Sequence, residues 1–363
     1  MDDHPVHLKE RFTLFAQKYI AGRDLNTNAF PFDIWEKMAV EGLLDLGVKE
    51  RPADHYLSLA MAGEALVEAG GNLGLALSWL MQQIVSRFFI MGFGNTRQQG
   101  YFSALSSGKK TVCLAISEPE TGAHPKYLRT RALPEGDHYV LSGEKTYLTN
   151  GPIADLFVVI AITGEQGPKK RFTAFIVPKE SPGLSITPID IPFLKPSPHG
   201  SLHLDHCLIP KENMLWREGS AYEDMVLLFR ELEDALMMGP LVGAMERQIE
   251  LLIPLIMEKG HSDESASTLG LMQALIHVER LLAYAAAGML DSDTRGEAFL
   301  SMLLVFRALA RQFVSLSEEV MSKDAAGPAL TILRNDFHYA IHIADTIARI
   351  KQKKLGESLL STK

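Results

Sequence analysis

Cysteine is nearly missing from this 363-residue chain, which has Cys113 and Cys207 alone. Their spacing fits no metal motif. Each sits in an apolar, strand-like run, so both are expected as buried thiols rather than as a disulfide or a nucleophile. An excess of positive charge is missing too. The formal net charge is −8 and no basic block is interleaved with aromatics, so nucleic acid is not an expected partner. The longest apolar helical runs carry polar residues within about 20 positions, so no membrane span is expected. Low cysteine use and the lack of an apolar leader give the expectation of a cytoplasmic protein. Repeats and low-complexity tracts are lacking as well.

What is present is apolar bulk in two textures. Hydrophobic residues make up 47% of the chain, enough for a large core and more than one layer. From Pro5 to Lys110 the apolar spacing is helical. "FPFDIWEKMAVEGLLDLGV" opens with an acid and closes on glycine. "YLSLAMAGEALVEAG" and "NLGLALSWLMQQIVSRFFIMGFG" are apolar nearly all round, as in helices buried in a bundle. "NTRQQGYFSALSSGKK" reads as one further amphipathic helix. From Thr111 to about Trp216 the runs are short, β-branched and aromatic: "TVCLAIS", "HYVLSGEKTYLTN", "LFVVIAIT", "FTAFIVP", "LSITPI" and "GSLHLDHCLIP". They predict an antiparallel sheet or small barrel. From about Glu218 onward the spacing is helical again, broken by "HSDESAST" and "DSDTRGE". Few folds set a β-domain of roughly a hundred residues between two helical regions.

Several of these stretches carry a family likeness. "LAISEPETGAH", "GEKTYLTNGPIADLFVVIA", "FIVPKESPGLSI" and "LHLDHCLIPKENML" closely resemble the middle domain of the acyl-CoA dehydrogenases, and "FGNTRQQGYFSALSSGKK" resembles the helix leading into it. The resemblance implies an α+β fold. It has an N-terminal α-helical domain (1–112), a middle antiparallel β-domain (113–216) and a C-terminal four-helix bundle (217–363). It also implies FAD, an acyl-CoA substrate, an electron-transfer flavoprotein or similar acceptor, and a homo- or hetero-oligomer with a related subunit. Carried over by position, Leu114, Ile116, Ser117 and Gly122 become the flavin-contacting places of the turn. Tyr147 stands where the family has a stacking Trp, and Thr149 keeps its hydroxyl. Ala123 and His124 replace the family's Ser and Asp.

Acyl-CoA dehydrogenation removes a weakly acidic α-proton, so the base must be a carboxylate held in a dry site. Most family members carry this Glu late in the chain. The matching position here is Ile343 or Ala344, and Asp345 follows, expected as a polar residue at a helix start. A minority take the base from a different helix. There "RELEDALMMGPLVGAMER" matches with Glu233 on the Glu and Gly243 on the glycine. One helix through this stretch would put Glu233 on a face with Leu236, Met237, Pro240 and Ala244, at the edge of a buried run, where a raised pKa is expected. The competing expectation is that Glu231, Glu233 and Asp234 crowd a helix start. Beside Glu233, Asp234 replaces the family's Arg.

The loops that the family lends to a neighbour's FAD are eroded. "EKGHSDES" offers Lys259 in place of an Arg, has no Phe, and adds Asp263 and Glu264, which repel phosphate. "SLSEEVMSKDAAGP" lacks the family's glycine pair. The expected function is therefore an FAD-dependent acyl-CoA dehydrogenase-like oxidoreductase with Glu233 as base, possible as one subunit of a hetero-oligomer. The alternatives are a non-catalytic partner subunit or scaffold, and a flavin monooxygenase-type relative.

Overall fold

The computed structural model describes residues 5–46, 55–260, 262–320, 327–343 and 345–361. Helices α1 (Pro5–Tyr19), α2 (Phe32–Val40), α3 (His55–Gly70) and α4 (Leu73–Ile84) come first, and α4 runs on as a π-helical stretch over Val85–Met91. The short helices α5 (Thr96–Gln99) and α6 (Phe102–Ser106) follow. They replace the single amphipathic helix expected there. Strands β1 (Val112–Ala115), β2 (Arg131–Glu135), β3 (His138–Thr149), β4 (Leu156–Gln166), β5 (Lys169–Pro178), β6 (Leu184–Ile189), β7 (His199–Pro210) and β8 (Met214–Leu215) form one sheet. The chain ends in α7 (Leu227–Leu236), α8 (Met238–Lys259), α9 (Asp263–Asp291), α10 (Glu297–Val320), α11 (Pro328–His342) and α12 (Asp345–Ser361).

The chain divides into two compact units that are not consecutive in sequence. One comprises Met1–Asn26, Glu50–Ala76 and Asp234–Lys363; the other comprises Thr27–Lys49 and Leu77–Glu233.

The second unit is built on the sheet, in the order β6-β7-β3-β2-β4-β5-β8 with β1 pairing β4. Most pairings are antiparallel, as expected from the short β-branched and aromatic runs. β1 and β2, however, pair β4 in parallel. Among the core side chains of the sheet are Leu141, Phe157, Val159, Phe175, Leu202 and Ile209. Cys113 and Cys207 are free thiols buried among them. Burial pushes the thiol pKa of both upward, so neither is poised as a thiolate.

The first unit is helical and held by close crossings. A Cβ on Gly239 would lie 2.1 Å from the Ala60 carbonyl oxygen, and one on Gly243 would lie 2.2 Å from that of Glu64. These glycines let α8 meet α3 backbone to backbone. Glu64 is fully buried at this crossing. Lys9 Nζ (2.8 Å) and Arg280 Nε (2.7 Å) donate to its Oε1, and the Tyr284 hydroxyl donates to its Oε2. Glu279 on α9 is equally buried, and among the described residues neither of its carboxyl oxygens has a hydrogen-bond partner. Burial alone raises its pKa to about 9.

Two described helical stretches, Leu73–Met91 and Glu297–Val320, are long and apolar enough to cross a membrane by length and composition. The first is 94% buried, as a core helix is. On α10, Arg307 and Arg311 are tied by hydrogen bonds to the start of α12 and its surroundings.

Candidate functional site

A half-open cleft lies within the sheet-bearing unit, with an empty volume of about 540 Å³. Its walls come from three places. Leu114 of β1 with Ile116, Ser117 and Ala123 of the following turn form one wall; Tyr147, Leu148 and Thr149 supply the end of β3; Met81 of α4 and Phe229, Arg230 and Glu233 of α7 supply the rest. The sequence expectation named Leu114, Ile116, Ser117, Tyr147, Thr149 and Glu233, and all of these line this one cleft. Gly122, expected with them, does not.

The turn explains that exception. Glu118 N–H donates to the Gly122 carbonyl (2.9 Å) and Gly122 N–H donates back to Glu118 (3.0 Å). Closing so tight a loop needs left-handed backbone, found at Glu120 (φ 64°) and Gly122 (φ 56°). Gly122 thus shapes the turn from its exposed far side. Its neighbour Ala123 faces the cleft, and its carbonyl accepts a 2.6 Å hydrogen bond from Arg230.

Tyr147 owes its presentation to an irregular strand. The β3–β7 register shifts between Lys145 and Leu148, and Tyr147 itself has φ 56°. Such a bulge re-aims a side chain out of the regular alternation. The ring ends 64% exposed, a large apolar surface presented at the cleft. Two residues on, Thr149 is oriented by a buried histidine. His199 Nδ1 lies 3.0 Å from the Ser197 carbonyl, which can only accept, so this nitrogen carries the proton. Burial lowers the His199 pKa, leaving the ring neutral with Nε2 as an acceptor. The Thr149 hydroxyl, 3.2 Å away, therefore donates to Nε2 and keeps its oxygen lone pairs for the cleft.

Behind the wall lies a buried ion pair. Lys145 is fully buried and donates to Glu118 Oε1 (2.9 Å) and to the Ile116 carbonyl (3.0 Å). Burial pulls its pKa down to about 8, against the opposing pull of Glu118. Glu118 also accepts from the backbone N–H groups of Arg129 (2.6 Å) and Thr130 (2.9 Å). Burial acts to raise the Glu118 pKa, but Lys145 and Thr130 outweigh it and hold the carboxyl below its usual range.

α7 settles two expectations about Glu233. The helix starts at Leu227, so Glu231, Glu233 and Asp234 lie a full turn or more past its start. The stretch also does not form one helix. α7 ends at Leu236 and α8 begins at Met238, with Met237 between. Pro240 is the cause: it has no N–H for the Leu236 carbonyl, and its ring crowds that carbonyl. Glu233 is half-buried in the cleft, one turn after Arg230 and on the same helix face. Asp234 belongs instead to the helical unit. Its oxygens receive Arg307 (3.1 Å) and Lys351 (3.1 Å), so its charge is compensated there.

The alternative base position has a different setting. Ile343 is 43% exposed, and its carbonyl accepts from Arg307 (2.8 Å). Asp345 is the first residue of α12, as expected, and pairs with Arg311 at 2.6 Å. Ala344 and the place of the expected glycine pair at 321–326 lie outside the described residues, as does the side chain of Lys259. Asp263 and Glu264 stand in the first turn of α9, capped by Ser262. A second, larger cleft between α10 and α12 holds Arg307, Arg311 and Arg349, but the first two are already committed to Asp234 and Asp345.

Sequence reasoning missed Arg230, His199 and the Lys145–Glu118 pair. The signal for the pair was present. Lys145 stands among the residues of a strand that alternates toward the core, where a lysine without a carboxylate partner is not tolerated.

Residues 113–207 match the family model described as acyl-CoA dehydrogenase, middle domain. The chain is 31% identical over 268 residues to the mitochondrial 2-methylacyl-CoA dehydrogenase of Solanum tuberosum, covering 71% of this chain and 65% of that protein. It is 28% identical over 298 residues to the L-prolyl-[peptidyl-carrier protein] dehydrogenase of Pseudomonas fluorescens, covering 78% and 77%. A solved FAD-dependent dehydrogenase shares the fold, with a TM-score of 0.83 at 23% identity over 98% of this chain and 97% of that one. Residues 113–207 thus carry the likeness to the acyl-CoA dehydrogenase middle domain, the whole chain shares the fold of the solved dehydrogenase, and it spans just under two thirds of the length of the Solanum tuberosum relative.

Proposed function

We propose that this protein is an FAD-dependent oxidoreductase that removes the α-proton and β-hydride of an acyl thioester, with Glu233 as the base. The observation that carries the reading is the meeting of Glu233 with Ser117, Tyr147 and Thr149 in one cleft. The cleft's chemistry fits a flat ring with a polar edge. Tyr147 offers an exposed aromatic face, Leu114, Ile116 and Leu148 offer apolar contact, and Ser117 and Thr149 offer hydroxyls. Bound flavin would supply the two-electron acceptor for the hydride.

The chain's own residues do the rest. Glu233, half-buried beside Phe229, takes the α-proton onto a carboxylate oxygen. Arg230 grips the Ala123 carbonyl and so holds the turn against α7 while the base works. Thr149, with its proton committed to His199, presents an acceptor oxygen to the bound ring. The thioester is carried on coenzyme A in this reading, and the relative acting on a carrier protein supports testing that carrier beside it. An electron-transfer flavoprotein or similar acceptor would take the electrons onward.

A second reading has its own support. Asp263 and Glu264 occupy the first turn of α9, in the loop region that in the family resemblance serves a neighbour's FAD. This supports a subunit that keeps its own cleft and relies on a related partner for the remaining contacts. Anaerobic titration with acyl-CoA thioesters, of the protein alone and co-expressed with a related subunit, separates the two. Flavin that bleaches in the protein alone supports the first reading. Flavin that appears only on co-expression supports the second, and no flavin in either preparation overturns both.

A further inference from the structure

We propose that the buried Lys145–Glu118 pair is a positioning lock: it fixes the wall of the cleft in its ligand-ready shape. This rests on the flavin reading for its consequence, though not for its geometry.

A lysine ammonium with no exposure is costly to keep, and hydrophobic replacement of such pairs is often neutral or stabilising. The pair therefore needs a reason beyond stability, and its bonds supply one. Each goes to the turn or to its exit. Lys145 Nζ holds the carbonyl of Ile116, whose side chain lines the cleft. Glu118 holds the N–H groups of Arg129 and Thr130, where the chain leaves the turn for β2. The next residue on β3 repeats the attachment, since Thr146 N–H donates to the Ser117 carbonyl at 2.9 Å. The register shift that turns Tyr147 outward begins at Lys145. One ammonium thus joins the β1 turn to the bulge of β3, and both cleft walls depend on it.

Hydrogen–deuterium exchange on the purified full chain without added flavin reads the lock directly. In Lys145→Met, exchange is expected to be faster by roughly tenfold at the amides of Gly122, Arg129 and Thr130, with β4 and β5 unchanged. Glu118→Gln keeps the size of the side chain and serves where Lys145→Met does not fold. FAD titration by fluorescence quenching is expected to show a dissociation constant raised about tenfold, with a bound-flavin absorbance band that loses its fine structure. Turn amides that exchange at the wild-type rate overturn the proposal. So does a loosened turn with wild-type FAD affinity and spectrum, because the pair is then structural only. If the wild type takes up no FAD alone or with a related subunit, the flavin reading falls, and the exchange rates still decide the lock.

Discussion

Two adjacent acids part company at the boundary between the units. Glu233 ends the sheet-bearing unit and lines its cleft, while Asp234 opens the helical unit and is held between Arg307 and Lys351. The same contrast runs through each unit. In the helical unit, the buried Glu64 fastens α1, α3 and α9 together. In the sheet-bearing unit, buried Glu118 shapes a wall beside open space. A carboxylate held between cations has a structural task; one lining a cleft is a candidate for chemistry. The sharpest way to break this comparison is Glu233→Gln. If Glu233 is the base, turnover of an acyl-CoA falls on the order of 10⁴-fold while the flavin stays bound. Bleaching at the wild-type rate in anaerobic stopped flow would remove Glu233 from the mechanism.

Glu64→Ala tests the other half of the contrast. It leaves the charges of Lys9 and Arg280 without their central partner, so unfolding free energy is expected to drop by about 3–5 kcal/mol. Chemical denaturation measures this, and a loss under about 1 kcal/mol would mean that the network does not fasten the helices.

Glu279 offers a gentler test in the same unit, because its buried carboxyl has no hydrogen-bond partner among the described residues. Its folded pKa, about 9, lies above the unfolded value near 4.5. The folded state therefore holds a proton that the unfolded state releases. The stability that goes with this proton is fully present below about pH 4.5 and is lost as pH rises toward 9. Glu279→Gln mimics the protonated acid. It should match the wild type near pH 4 and exceed it by about 1–3 kcal/mol at pH 7. Parallel pH dependences for the two proteins would show that Glu279 is already ionised in the fold.

Much of this was legible in the chain. Short β-branched runs such as "LFVVIAIT" announce strands, and this one is apolar throughout because Leu156–Ile162 are all buried. The Ser117–Gly122 turn and the cleft position of Glu233 were legible through motif spacing, which local backbone geometry preserves. The rest depends on contacts distant in sequence. Nothing local tells β1 to pair β4 in parallel, 44 residues away for the pair Val112 and Leu156. Charged residues hide best. Lys145 shows by its place on β3 that it needs a partner, but only the fold identifies that partner as Glu118, just as it alone brings Arg280 to Glu64 and the Ala123 carbonyl to Arg230. The break at Met237 was masked by an unbroken apolar run, although Pro240 marks it once the missing N–H is counted.

The smallest effect is the most discriminating between the two base positions. Asp345 lies nearest to the place where most of the family carries its carboxylate, and it is the obvious substitute for one. Its geometry argues for another role. It opens α12, where a negative charge suits the helix dipole, and its Oδ1 lies 2.6 Å from Arg311 and 3.7 Å from Arg307. Arg311 is 43% exposed, so solvent screens the pair and its worth is modest. Asp345→Asn is therefore expected to lower stability by no more than about 1 kcal/mol. With Glu233 as the base, it should leave turnover within about twofold. A loss comparable to that of Glu233→Gln would reverse the assignment: the base would lie at the α11–α12 break, and the cleft carboxylate would be the structural one.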